Sequence, residues 1–123
     1  MEWQFIEACD NGNLVKVNQL LQDPNLDVHI DDDYAFREAC SNGHIDIVNK
    51  LLKLEGDRQI NVHVHDEQAF CFSCYHGHLS VVNRLLELKG NRKINVNVNQ
   101  EYAFCMACYN GHVDVINRLL KLK

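Results

Sequence analysis

A 34-residue period runs through this chain and limits what it can fold into more than any other feature. The segment Tyr34-Ala35-Phe36-Arg37-Glu38-Ala39-Cys40-Ser41-Asn42-Gly43-His44 returns as Gln68-Ala69-Phe70-Cys71-Phe72-Ser73-Cys74-Tyr75-His76-Gly77-His78. It returns again as Tyr102-Ala103-Phe104-Cys105-Met106-Ala107-Cys108-Tyr109-Asn110-Gly111-His112. A looser copy, Phe5-Ile6-Glu7-Ala8-Cys9-Asp10-Asn11-Gly12-Asn13, precedes the second by 31 residues, because the loop at Gln22-Asp23-Pro24-Asn25 is three residues shorter. Four units, about 1–30, 31–64, 65–98 and 99–123, account for all 123 residues as one domain.

Each unit carries the same local signals. Phe and Cys four residues apart, as in Phe36 and Cys40, share one face of a short helix. The following Asn-Gly or His-Gly predicts a left-handed helix stop, since Gly takes positive φ without a Cβ penalty. Ile45, Ile47, Val48, Leu51 and Leu52, matched by Leu79, Val81, Val82, Leu85 and Leu86 and again from Val113, then predict a second helix with one apolar face. Between units the period drops to two, as in Ile60-Asn61-Val62-His63-Val64-His65, which predicts an extended finger with one buried side. No unit of this size can bury its apolar face alone, so the expected fold is an all-α solenoid of stacked helix-turn-helix units linked by extended fingers.

Charge and length exclude several functions. The formal net charge of −5 opposes a nucleic-acid groove, which needs clustered Lys and Arg. The excess of acid sits in residues 1–50, net −7, with its densest point at Asp31-Asp32-Asp33, while residues 51–123 carry +2. The longest apolar run, Tyr102 to Tyr109, is far short of the roughly 20 residues that span a bilayer. The first residues carry no basic-then-apolar leader pattern, so a reducing, cytoplasmic setting with free thiols is expected.

Six cysteines and seven histidines raise zinc and thiol chemistry. Cys71-x-x-Cys74 and Cys105-x-x-Cys108 are separated by 30 residues and lie inside helices, whereas zinc ribbons space their pairs by roughly 15–20 on turns. Repetition accounts for Cys9, Cys40, Cys74 and Cys108 as one position that takes a small apolar residue. A nucleophilic Cys74 served by His76 or His78 would have near-copies along the stack, so no catalytic residue, metal or cofactor is expected.

The Gly-His pairs Gly43-His44, Gly77-His78 and Gly111-His112, each followed by Ile47-Val48, Val81-Val82 or Val115-Ile116 and then by Leu-Leu, resemble the ankyrin repeat across essentially the whole chain. Departures are Tyr34-Ala35-Phe36-Arg37 and its copies where that family usually shows Thr-Pro-Leu-His, Cys at the usual second Ala, and longer loops at 53–57 and 87–91. The variant is similar to ankyrin proteins of intracellular bacteria, amoebae and large DNA viruses; a bacterial effector or viral protein of that kind would sit in a host cytosol.

The resemblance implies that His44, His78 and His112 bond backbone between units, with Asn13 replacing them in the terminal copy. It implies a non-enzymatic protein-interaction module that acts as a monomer through its concave face. Carried over by position, that face holds Asp31, His65 and Asn99 on the fingers and Asp33, Glu67 and Glu101 before each Ala-Phe. It also holds Ser41-Asn42, Tyr75-His76 and Tyr109-Asn110 before each Gly. Tyr75 and Tyr109 in register are the expected anchors, and the carboxylate row calls for a protein partner that presents Lys or Arg beside apolar groups. The alternative is an architectural spacer within a larger protein. Trp3 beside Phe5 is expected to cover one end of the stack. The final copy is no more polar than the others, which suggests a chain cut from a longer protein.

Overall fold

Each copy of the repeat folds as a helical hairpin. The structure, a computed structural model, describes residues 1–122; Lys123, the last residue of the fourth unit, lies outside them. The described residues form α1 (Glu2–Asn11) with α2 (Leu14–Leu21), α3 (Ile30–Ser41) with α4 (Ile45–Leu52), α5 (Val64–Tyr75) with α6 (Leu79–Leu86), and α7 (Val98–Tyr109) with α8 (Val113–Leu120). None contains a strand. The second helices have eight residues each, too short to persist in water alone, so their stability comes from packing.

Repeated apolar positions build one continuous core. Phe5, Phe36 and Phe70 are fully buried, as are Cys9, Cys40 and Cys74. Ile47, Val48 and Leu51 of α4 and Val81, Val82 and Leu85 of α6 close the core from the other side. In the fourth unit, the last described, the equivalent Phe104 is half-buried and Cys108 exposed. Neighbouring first helices, α1 to α3 to α5 to α7, pack much more closely than neighbouring second helices. A stack pinched on one side curves, so the first helices line the inner, concave side.

The turn between helices is set by glycine. Gly12, Gly43, Gly77 and Gly111 have φ of +71° to +77°, as expected for left-handed stops. The imidazole of the next unit lies over each of the first three. An ideal Cβ on Gly12 would come within 2.7 Å of His44, on Gly43 within 2.6 Å of His78, and on Gly77 within 2.5 Å of His112. His44 Nε2 donates to Asp10 C=O at 2.9 Å, His112 Nε2 to Tyr75 C=O at 2.8 Å, and His78 bonds the Ser41 backbone. Asn13, at the same place in the first unit, caps α2 instead, accepting from Lys16 N–H at 3.1 Å.

The alternating segments are where expectation and structure part. Leu26 and Val28, Ile60 and Val62, and Ile94 are buried while Asp27, Asn61 and Asn95 face solvent, as alternation requires. The extended stretch then stops at His29, His63 and Asn97. Three successive residues follow in the left-handed region: Asp31-Asp32-Asp33, His65-Asp66-Glu67 and Asn99-Gln100-Glu101, with φ between +51° and +65°. Such residues cost roughly 1–2 kcal/mol each. Local bonds offset the strain: Asp33 N–H donates to His29 C=O at 3.1 Å, Glu67 N–H to His63 C=O at 3.2 Å, and Glu101 N–H to Asn97 C=O at 3.2 Å.

Two further ladders join the units. Arg58 reaches back over the first hairpin and donates to Leu21 C=O at 2.8 Å, Asp23 C=O at 2.6 Å and Leu26 C=O at 3.3 Å; its copy Arg92 donates to Leu52 C=O at 3.2 Å. Along the outer row, Arg84 Nε bonds Asn49 Oδ1 at 2.9 Å and Arg118 Nε bonds Asn83 Oδ1 at 2.7 Å.

Candidate partner-binding surface

Three side-chain positions of each first helix sit toward the concave side. In repeat register they are Trp3, Glu7 and Asp10 on α1; Tyr34, Glu38 and Ser41 on α3; Gln68, Phe72 and Tyr75 on α5; and Tyr102, Met106 and Tyr109 on α7. The fingertips Asp31, Asp32, His65, Asp66, Asn99 and Gln100 stand beside them, all exposed.

Aromatic groups concentrate on α5. Phe72 and Tyr75 are each more than a third exposed, with ring centroids 6.2 Å apart. His76 stands edge-on to Tyr75 at 4.8 Å and to Phe72 at 6.5 Å. Tyr102 is exposed to a similar degree, and Tyr109 is 83% exposed. Offset and edge-on rings of this kind keep each other ordered while leaving apolar area in water.

Acidic groups concentrate on α1 and α3. Burial, followed by the bond to and the charge of Asp10, raises the pKa of Glu38, against the lowering effects of Tyr34 and Arg37. Arg37 stacks over Tyr34 at 5.1 Å and donates to Asp31 C=O at 2.7 Å, Asp32 C=O at 3.1 Å and Gln68 Oε1 at 2.6 Å. A cavity of about 310 Å³ opens between α1 and α3, walled by Trp3 and Tyr34 and edged by Glu7, Asp10 and Glu38.

Two members of the expected carboxylate row are not on this surface. Asp33 and Glu67 are buried. Asp33 Oδ1 accepts from His29 Nδ1 at 2.6 Å and its Oδ2 from Asn61 N–H of the next unit at 3.0 Å. Glu67 repeats this with His63 at 2.8 Å and Asn95 N–H at 2.6 Å. These carboxylates join successive fingers and cannot meet a partner's lysine; among the finger acids Asp31, Asp32 and Asp66 are exposed and Glu101 is half-buried. Trp3 does not seal the end of the core either, being 70% exposed at the rim of the α1–α3 cavity.

The remaining expected residues divide by role. His65, Tyr75, His76, Asn99 and Tyr109 are exposed and Ser41 half-buried. His65 Nε2 lies 3.3 Å from Asp32 Oδ2 of the preceding finger. Asn42 and Asn110 are exposed but tie units together: Asn42 Nδ2 donates to Asp10 Oδ1 at 2.6 Å and Asn110 Nδ2 to Tyr75 C=O at 3.1 Å. Phe72 was not foreseen, although a signal was available, since its repeat position holds Glu7 and Glu38 in the earlier units.

Thiol and metal chemistry find no constellation here. Among the described residues no three of His, Cys, Asp and Glu gather as metal ligands. All six cysteines are free. Burial pushes the Cys9 thiol up to about 12, Cys71 to about 11 and Cys74 higher still, the reverse of what a nucleophile beside His76 would need. No helix among the described residues is long and apolar enough to cross a membrane.

Comparison with known proteins agrees with this geometry. A search among curated proteins finds no significant match. An ankyrin repeat family protein from Legionella pneumophila, solved by X-ray crystallography, superposes with a TM-score of 0.79 and is 28% identical over 97% of this chain, which spans 36% of that protein. Residues 5–100 match the family model for ankyrin repeats in three copies. With the hairpins, the glycine stops and the inter-unit imidazoles all in place, the chain belongs to the ankyrin-repeat family.

Proposed function

We propose that this chain binds a segment of a partner protein along its concave face, with Tyr75 and Tyr109 as anchors and Phe72 beside them. Ankyrin repeats are generally protein–protein interaction modules and generally non-enzymatic. The observation that carries the reading is the exposed Phe72, Tyr75 and His76 cluster on α5, in line with Tyr102 and Tyr109 on α7. Contiguous exposed aromatic area is unfavourable in water and concentrates binding energy at interfaces. The partner presents apolar side chains to these rings and basic ones to Asp31, Asp32 and Asp66. With its free thiols the chain works in a reducing compartment such as the cytosol.

The test is an affinity capture from cytosolic lysate with wild type and Tyr75→Ala/Tyr109→Ala in parallel, after circular dichroism confirms that both are folded. A protein retained by wild type and lost from the variant is the expected result. Identical capture by both would remove the concave-face reading, and no capture by either would favour a spacer.

A further inference from the structure

The inner face changes character halfway along the stack, and the chain's own copies measure the change. At one repeat position the side chain is Glu7, Glu38, Phe72 and Met106 in successive units; at the next turn it is Asp10, Ser41, Tyr75 and Tyr109. The helix, glycine turn and second helix recur in every unit, so at these positions the main difference is the chemistry presented. The fingertips follow the same gradient: Asp31 and Asp32, then His65 and Asp66, then Asn99 and Gln100.

We infer that the groove reads its partner in one direction, seating a Lys or Arg side chain in the Trp3–Tyr34 cavity between α1 and α3 and an aromatic or branched apolar side chain against Phe72 and Tyr75. This rests on the concave-face reading above and adds orientation and chemistry to it. Three observations support a cationic occupant at the first position. The cavity sets the exposed Trp3 indole, whose face attracts cations, and the Tyr34 ring, which already carries Arg37 at 5.1 Å, beside the carboxylates of Glu7, Asp10 and Glu38. None of these carboxylates has a Lys or Arg within ion-pair distance among the described residues. Arg37 spends its donors on the backbone carbonyls of Asp31 and Asp32 and on Gln68 Oε1, and makes no ion pair with them. At the second position the rings of Phe72, Tyr75 and His76 stand within 6.5 Å of one another, with the fingertip Asp66 at the edge of the hollow beside Phe72. Neighbouring inner helices stand ~8–10 Å apart, so the cavity between α1 and α3 lies about one and a half spacings, roughly 12–15 Å, from α5. An extended segment covers that span with about four or five residues at ~3.3 Å each.

The probe is a synthetic nonapeptide with Lys and Arg at one end, Leu and Trp at the other, and five Gly, Ser or Gln residues between. It carries a nitroxide at either end and is titrated into the isotopically labelled chain at low salt. The label on the basic end is expected to broaden the Trp3 indole N–H and the amides of α1 and α3; the label on the apolar end, those of α5 and α7. Glu7→Gln/Glu38→Gln should abolish the first pattern, keep the second and raise Kd roughly three- to tenfold. Phe72→Glu, which installs the residue type of the second unit, should remove the second pattern.

Equal broadening of all four inner helices by both labels, or the reverse order, would overturn the directional inference while leaving concave-face binding intact. Broadening along α2, α4, α6 and α8, or none at all, would overturn both.

Discussion

Replacing Gly77 by Ala places a methyl group where the His112 ring lies, and the cost can be worked from the structure. Gly77 has φ +75°, so any residue with a Cβ carries about 1–2 kcal/mol of left-handed strain there. The new Cβ would stand 2.5 Å from His112 Nδ1 and 2.7 Å from its Cγ, closer than side chains tolerate. The ring must swing out, and with it goes the 2.8 Å bond from His112 Nε2 to Tyr75 C=O, a net loss of about 0.5–1.5 kcal/mol. Gly77→Ala should therefore destabilise by about 2–3 kcal/mol, and His112→Ala alone by about 1 kcal/mol. Once the ring is gone the clash is gone, so the double variant should lose about 1 kcal/mol less than the sum of the singles. Gly111→Ala separates strain from clash: φ is +71° but no heavy atom lies within 4 Å of its Cβ, so only the left-handed term of about 1–2 kcal/mol applies. Urea melts followed by far-ultraviolet circular dichroism at pH 7.5 would measure all four variants. Additivity of Gly77→Ala and His112→Ala within ~0.3 kcal/mol would refute the argument that the imidazole rests on the glycine.

Stability should also depend on pH through the finger histidines. His29 faces Asp33 Oδ1 through Nδ1 and Asp57 C=O through Nε2, both at 2.6 Å; His63 faces Glu67 and Asn91 C=O in the same way. Two acceptors on one ring require two N–H groups, so the imidazolium fits. Burial lowers both pKa values, but those bonds and carboxylates outweigh it and leave them raised, with Arg92 opposing at His63. A raised folded pKa gives stability that is complete below the ordinary imidazole value near 6.5 and lost as pH rises through the raised value. His78, lowered first by burial, works in the opposite sense, losing stability as pH falls through its folded value. Exchanging His63 for Asn, the residue at the same place in the next unit, should flatten the decline in urea midpoint as pH rises above the ordinary imidazole value near 6.5; an unchanged slope would count against the clamp. Arg58→Ala removes three carbonyl bonds and should cost about 2 kcal/mol in the same melts, more than Arg92→Ala, whose Nε and Nη2 are buried without a partner. Cys105 and Cys108 should react rapidly with an aromatic disulfide reagent and the four buried thiols only on unfolding; six equally fast thiols would contradict the packing.

Periodic features were legible because they recur. Phe and Cys four apart, the left-handed glycines and the one-sided second helices each follow from a local rule applied in register, and each appears in the fold. The fingers were only half legible. Alternation correctly marks Leu26, Val28, Ile60, Val62 and Ile94 as buried, but it cannot show that the chain leaves the extended state at the next step. That turn depends on a bond to another unit: Asp33 has to reach Asn61 N–H, 28 residues away. For the same reason Asp31-Asp32-Asp33 reads as a solvated charge run while its third member is buried. The cue lay in the spacing, His29 to Asp33 and His63 to Glu67, four residues apart in consecutive units.

The surface obeys a different logic from the core. Positions held constant between units, the Phe, the Cys and the Gly-His pair, are those that must fit an identical neighbour, and wherever another unit covers them Phe and Cys are buried. Positions free to change are those that no neighbour constrains, and on the first helices they face the groove. A Phe at position 72, where the stacking geometry tolerates Glu at positions 7 and 38, therefore cannot be there for packing: it is 37% exposed and closes no gap in the core. Tyr109, where the first unit has Asp10, is 83% exposed on the last described unit, where Cys108 is exposed as well. Departure from the repeat, combined with exposure of a residue that water disfavours, is what sets α5 apart from α1 and α3, where the same repeat position carries Glu, and it is the reason the proposed partner is given apolar anchors there.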